Sequence, residues 1–170
     1  MFKVNDYIVY GLTGVCQITD IEKDKDINGN EIDYYVLRPV YNNINNMIIK
    51  LPMNNPKLSI RAILTKDEAL SLITTMPEQE TIWTDDDRQR NANFKTALRS
   101  GKNEEWIKII NTLYLEREAR SVDGRKLNKT DEEILSIAEN HLNQELAIAL
   151  NISPDEVVSY ILEHIPDNKV

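Results

Sequence analysis

Residues 15–40 read VCQITDIEKDKDINGNEIDYYVLRPV, and this stretch decides the architecture of the N-terminal third. Runs rich in β-branched and aromatic residues at 15–21 and 34–40 flank Asp26-Ile-Asn-Gly-Asn30, whose Asn28-Gly29 pair supplies the positive-φ positions of a tight hairpin turn. The two runs are therefore expected to pair as antiparallel strands. Outward from this hairpin, residues 4–10 and 47–51 have the same character. Four or five short strands over about 55 residues are too few for two full sheets and suit a small, strongly curved SH3-like or Tudor-like β-barrel.

Past Pro52 and Pro56 the apolar period becomes helical. Thr65-Lys-Asp-Glu68 is a capping box, in which a hydroxyl and a carboxylate each satisfy a free backbone N–H, and its helix ends near Met76-Pro77. Thr84 followed by Asp85-Asp86-Asp87 opens a second helix running to Ser100, with Gly101 as its left-handed stop. Asn103 caps a third, whose apolar stripe is Trp106, Ile109, Ile110, Leu113 and Tyr114. A second capping box, Thr130-Asp-Glu-Glu133, starts the longest helix, with Ile134, Ile137, Ala138, Leu142, Leu146 and Ala149 inward. Ser153-Pro154-Asp-Glu156 starts the last, with Val157, Val158, Ile161 and Leu162 inward. The expected fold class is α+β: an SH3/Tudor-like β-barrel over residues 1–60, followed by a compact five-helix domain over residues 65–170.

Composition narrows the function. The chain has 170 residues, 41% of them hydrophobic and 28% charged, enough for a real core and no signature of disorder. Its one Cys excludes an internal disulfide and, with only two His, a Cys-rich zinc site; a reducing compartment is the simpler expectation. No apolar run approaches the roughly 18 residues a membrane span needs, so no membrane partner and a cytoplasmic location are expected. An enzyme is not expected. His141 and His164 belong to no metal-binding spacing, and the five glycines, at 11, 14, 29, 101 and 124, form no phosphate-cradling loop. Cys16 reads as a small buried hydrophobe, and the acids at 85–87 and 132–133 read as helix-start carboxylates. Neither a cofactor nor a metal is implied.

The net charge of −8 argues against nucleic acid until its distribution is considered. Residues 1–64 are balanced, and the whole excess of acid lies in 65–170. Within that part, residues 88–102 (RQRNANFKTALRSGK) carry five basic residues and no acid. Arg88, Lys95, Arg99 and Lys102 fall at spacings of 7, 4 and 3 and line one helix face, with Arg90 off that line. A second stretch, residues 117–129, has five basic residues against Glu118 and Asp123. Trp83 lies just before the first stretch, in a connector between helices. It is either a lid packed on the bundle or an exposed aromatic beside a basic helix, able to wedge or stack against bases while cations hold phosphates.

End to end, the chain resembles the CarD/CdnL family of bacterial RNA polymerase-binding transcription regulators. Phe2-Lys-Val-x-Asp6-x-Ile-Val-Tyr10, Gly14-Val15, Tyr35-Val-Leu37 and Ile49-Lys50-Leu-Pro52 look like its Tudor-like polymerase-interacting domain, which transcription-repair coupling factors share. Trp83, Ser100-Gly101, Leu113-x-x-Arg-Glu, Leu127-x-x-x-Glu and Glu145-Leu-Ala147 look like its helical DNA-binding domain. Two departures stand out: Asn5 and Gly11-Leu-Thr-Gly14 replace the family's usual first turn, and Thr84-Asp85-Asp86-Asp87 separates the Trp from its first arginine.

The resemblance implies a transcription regulator that binds the polymerase β subunit through its barrel. It would stabilise the promoter open complex by contacting DNA at the upstream edge of the bubble. Lys50, Lys23, Ile49 and Pro52 would meet the polymerase; Trp83, Arg88, Arg90, Lys95, Arg99 and Lys102 would meet DNA. Binding to free DNA should be weak, and the protein is expected to be a monomer that reaches the nucleoid through the polymerase. The rival reading is an adaptor of the same architecture whose helical domain binds a protein, with Trp83 packed internally.

Overall fold

The computed structural model describes residues 1–41, 43, 45–55 and 60–165; Pro56, read above as part of the break between the two patterns, lies outside them. The chain divides into two compact units, Met1–Ile63 and Leu64–Val170.

The first unit is a five-stranded antiparallel sheet in the order β4-β3-β2-β1-β5. Its strands are β1 (Tyr7–Tyr10), β2 (Gly14–Lys25), β3 (Glu31–Pro39), β4 (Ile49–Pro52) and β5 (Ile60–Ala62). The expected hairpin is its spine, with β2 and β3 paired from Cys16↔Pro39 to Lys25↔Glu31. The turn differs in one detail. Gly29 alone has a positive φ, +82°, and Asn28 does not. The Asp26 carbonyl accepts the Gly29 N–H at 2.9 Å, and its carboxylate accepts the N–H groups of Asn28 and Asn30 at 2.8 and 2.9 Å. A three-residue loop with its left-handed residue last needs only one glycine-type position.

A bulge between Ile18 and Asp20 shifts the β2–β3 register and sharpens the local twist. Ile8, Cys16, Ile18, Tyr35, Leu37 and Leu51 form the core on one face of the sheet. Burial there pushes the Cys16 thiol up to about 11, as suits an inert core residue. Among the described residues no pairing joins β4 to β5, so the sheet is open, a barrel-like layer and not a closed cylinder.

The second unit holds α1 (Lys66–Thr75), α2 (Asp87–Arg99), α3 (Asn103–Val122), α4 (Lys129–Leu150) and α5 (Val157–His164), which completes an α+β fold. Helix α4 packs against all four others. Thr65 and Glu68 form the expected capping box. Other starts move by one or two residues. Asp86, not Thr84, caps α2; Lys102 precedes α3, so Asn103 lies inside it; and Asn128, not Thr130, caps α4. Asn is at least as good a cap as Thr, and the Asn128 side chain takes the Asp131 N–H at 2.8 Å. Trp106, Ile109 and Leu113 are buried as expected. Ile137, Val158 and Leu162 are exposed instead, because the buried stripe of α4 runs through Leu135, Ala138 and Leu142, and α5 fully buries only Val157.

Candidate functional site

In the helical unit, the connector that carries Trp83 is tied to α3 by the Ile82 N–H, which donates to Thr112 Oγ1 at 2.9 Å. Trp83 is half-buried, so neither sequence alternative describes it fully. Its Nε1–H donates to Asp85 Oδ1 at 3.0 Å, and the Arg90 guanidinium lies over its ring, 4.2 Å from the centroid. Arg90 is only 1% exposed. One guanidinium nitrogen reaches Asp87 Oδ1 at 2.7 Å and Asp131 Oδ2 at 3.2 Å, and the other donates to the Thr84 carbonyl at 3.1 Å. Burial opposes its charge, yet the two carboxylates outweigh burial and hold its pKa above the usual value.

This overturns the expectation that Arg90 meets DNA. Its face of α2 also carries Phe94, Ala97 and Leu98 and is turned into the bundle. Asp131, 0% exposed, was not a sequence candidate.

Arg88, Lys95 and Arg99 are exposed on the opposite face of α2, roughly 140–180° round from Arg90 at 3.6 residues per turn, and Lys102 is exposed just before α3. Among the described residues none of the four forms an ion pair. The second basic stretch behaves differently. Arg117 pairs with Glu132, Arg120 with Glu116, Arg125 with Asp123 and Lys129 with Glu133. The three acids after Trp83 each have a local role: Asp85 holds the indole, Asp86 caps α2 and Asp87 pairs with Arg90.

In the sheet unit, β4 is an edge strand. Lys50 is exposed and bound to Glu22, Nζ to Oε2 at 2.6 Å, which raises its pKa. Ile49 and Pro52 are half-buried beside it. The Met53 N–H donates to the Asp33 carbonyl, so by alternation Lys50 turns its own N–H and carbonyl away from β3, while Pro52 has no N–H to offer. Lys23 is exposed on β2 opposite Asp33.

Both histidines stack on aromatic rings: His141 on Trp106 with centroids 5.3 Å apart, and His164 on Tyr160 at 4.0 Å. Among the described residues no three His, Cys, Asp or Glu side chains group as metal ligands, and no helix is long and apolar enough to cross a membrane.

The chain is thus of the α+β class: a β unit whose edge strand carries Lys50, followed by a helical unit whose α2 presents a basic face that, among the described residues, forms no ion pair. Residues 2–64 match the CarD-like/TRCF RID domain, so the N-terminal unit belongs to that domain family and the chain is consistent with a CarD-like family member. Its role is transcription-related and involves interaction with RNA polymerase. The match ends where the helical unit begins. No curated protein sequence matches the chain.

Proposed function

We propose that this protein is a non-enzymatic transcription regulator whose RID unit docks on the RNA polymerase β subunit. Its helical unit then contacts promoter DNA at the upstream edge of the bubble and stabilises the open complex. The observation that carries the reading is the contrast in pairing. Among the described residues, Arg88, Lys95, Arg99 and Lys102 have no acidic partner, in a chain of net charge −8 whose second basic stretch is largely neutralised. Trp83, half-exposed and stacked on a fixed cation, supplies an aromatic surface for a base step. On the polymerase side, Lys50 offers a charge together with the outward backbone groups of an edge strand, the mode by which extended segments add to a sheet.

Free DNA should bind weakly, since the whole chain repels phosphate. Attachment to the polymerase raises the local concentration and makes two weak contacts sufficient. The protein would act as a monomer, in the cytoplasm, reaching the nucleoid on the polymerase. Open-complex lifetime on a labelled promoter with cognate polymerase tests this. Wild type should lengthen the lifetime and Trp83→Ala should not; equal lifetimes with and without the protein, while β-subunit binding persists, would refute the DNA contact.

One observation favours the adaptor reading. A largely apolar cleft of about 370 Å³ opens between α3, α4 and α5, bordered by Ile110, Tyr114, Val158 and Leu162. Binding of a protein partner there would persist in Trp83→Ala.

A further inference from the structure

We infer that Arg90 and Asp131 are positioning residues for Trp83: a buried ion pair that fixes the indole to the central helix of the bundle. The inference rests on the reading that Trp83 meets DNA, but its structural half is testable alone. Trp83 lies outside any helix or strand, so regular backbone bonding does not set its ring. What holds it is the Asp85 carboxylate at its Nε1–H and the Arg90 guanidinium across its face, 4.2 Å from the centroid. Arg90 is in turn held by Asp131, 41 residues on, in the first turn of α4. Asp131 is 0% exposed, and Asn128 fixes its backbone. The chain of contacts runs from α4 through Asp131 and Arg90 to the indole.

The pair is a poor choice for stability. Among the described residues, Arg90 Nε and Asp131 Oδ1 are buried with no hydrogen-bond partner. A buried ion pair can often be replaced by apolar residues of similar volume without loss of stability. What an apolar pair cannot do is hold a planar cation against an indole face while reaching two carboxylates. A wedge already ordered in this way avoids the cost of freezing its side chain on DNA, worth roughly 3- to 10-fold in a binding or lifetime ratio.

The test is the full-length double variant Arg90→Met/Asp131→Leu, with Arg90→Lys as a milder change that keeps the charge but not the planar fork. The chain has two tryptophans, so indole N–H resonances give a signal for Trp83 and an internal control from buried Trp106. In both variants the Trp83 resonance should move while that of Trp106 stays. Open-complex lifetime should fall roughly 3- to 10-fold, and adding Trp83→Ala should lower it little further, because the substitutions act through one ring. A Trp83 resonance unmoved in both variants, with lifetime as in wild type, would overturn the inference. If Trp83→Ala alone leaves lifetime unchanged, the DNA reading fails, and the Trp83 resonance still decides whether Arg90 positions the ring.

Discussion

Lys50 and Glu22 reach each other across a strand to which neither belongs. Lys50 pairs in register with Val36 and Glu22 with Tyr34, both on β3, and their side chains meet over that strand with Nζ 2.6 Å from Oε2. The cation proposed to face the polymerase is thus already partnered, and an acidic surface docking on β4 competes with Glu22. Exposed pairs of this kind are weak, because water and salt screen them. Glu22→Gln should therefore tighten capture by the polymerase β subunit roughly 2- to 5-fold, with little change in melting temperature, and Lys50→Glu should abolish capture. Equilibrium titration of each variant against the isolated β subunit measures this; unchanged affinity in both would move the docking surface away from β4.

Gly29 is the one loop residue of the β2–β3 hairpin with a positive φ, and a Cβ built there meets nothing within 4 Å. Gly29→Ala therefore pays only the left-handed backbone penalty, roughly 1–2 kcal/mol. Amide exchange should show the loss as faster opening of β2 and β3, with protection in α1 to α5 unchanged. Uniform loss in both units would mean that they do not open separately.

His141 is buried against Trp106, and burial holds its pKa below the usual value. Above the unfolded imidazole pKa, near 6.5, both states are neutral and the residue contributes no pH dependence. As pH falls through that value the unfolded chain takes up the proton first, so stability declines until pH passes below the lowered folded pKa. Denaturant melts at pH 7 and pH 5 should show a smaller loss for His141→Phe, which keeps a ring against Trp106, than for wild type. Equal losses would assign the acid sensitivity to carboxylates elsewhere.

What was legible in the sequence was local chemistry. The hairpin depends on five residues, Asp26 to Asn30, and the α1 start on four, Thr65 to Glu68; in each the bonding partners lie within the motif. The α2 start was misread because two acceptable caps, Thr84 and Asp86, lie within one turn. The choice is made by Arg90, which takes the Thr84 carbonyl and leaves Asp86 to cap Gln89. Arg90 itself was misassigned because its partner Asp131 is 41 residues away. A signal was present: Arg90, Phe94 and Ala97 fall at spacings of 4 and 3, on the buried face and not on the line through Arg88, Lys95 and Arg99.

That line supplies the last prediction. Lys95 and Arg99 are exposed and, among the described residues, touch no acid, so Lys95→Glu/Arg99→Glu removes no contact that holds the fold, and stability should stay within about 0.5 kcal/mol of wild type per site. If both face phosphates in the open complex, the lifetime gain should disappear. The salt dependence of the contact should also flatten by about one unit of log–log slope for each lost phosphate contact. Arg125 and Lys129 provide the control, since each already pairs with an acid, at 3.2 and 3.9 Å. Arg125→Glu/Lys129→Glu makes the same change in net charge from the second basic stretch. Lifetime measured at several salt concentrations separates the two cases. A drop confined to the α2 variant assigns the contact to that helix face, whereas equal drops would mean that net charge alone, and not an aligned cationic face, governs the approach to DNA.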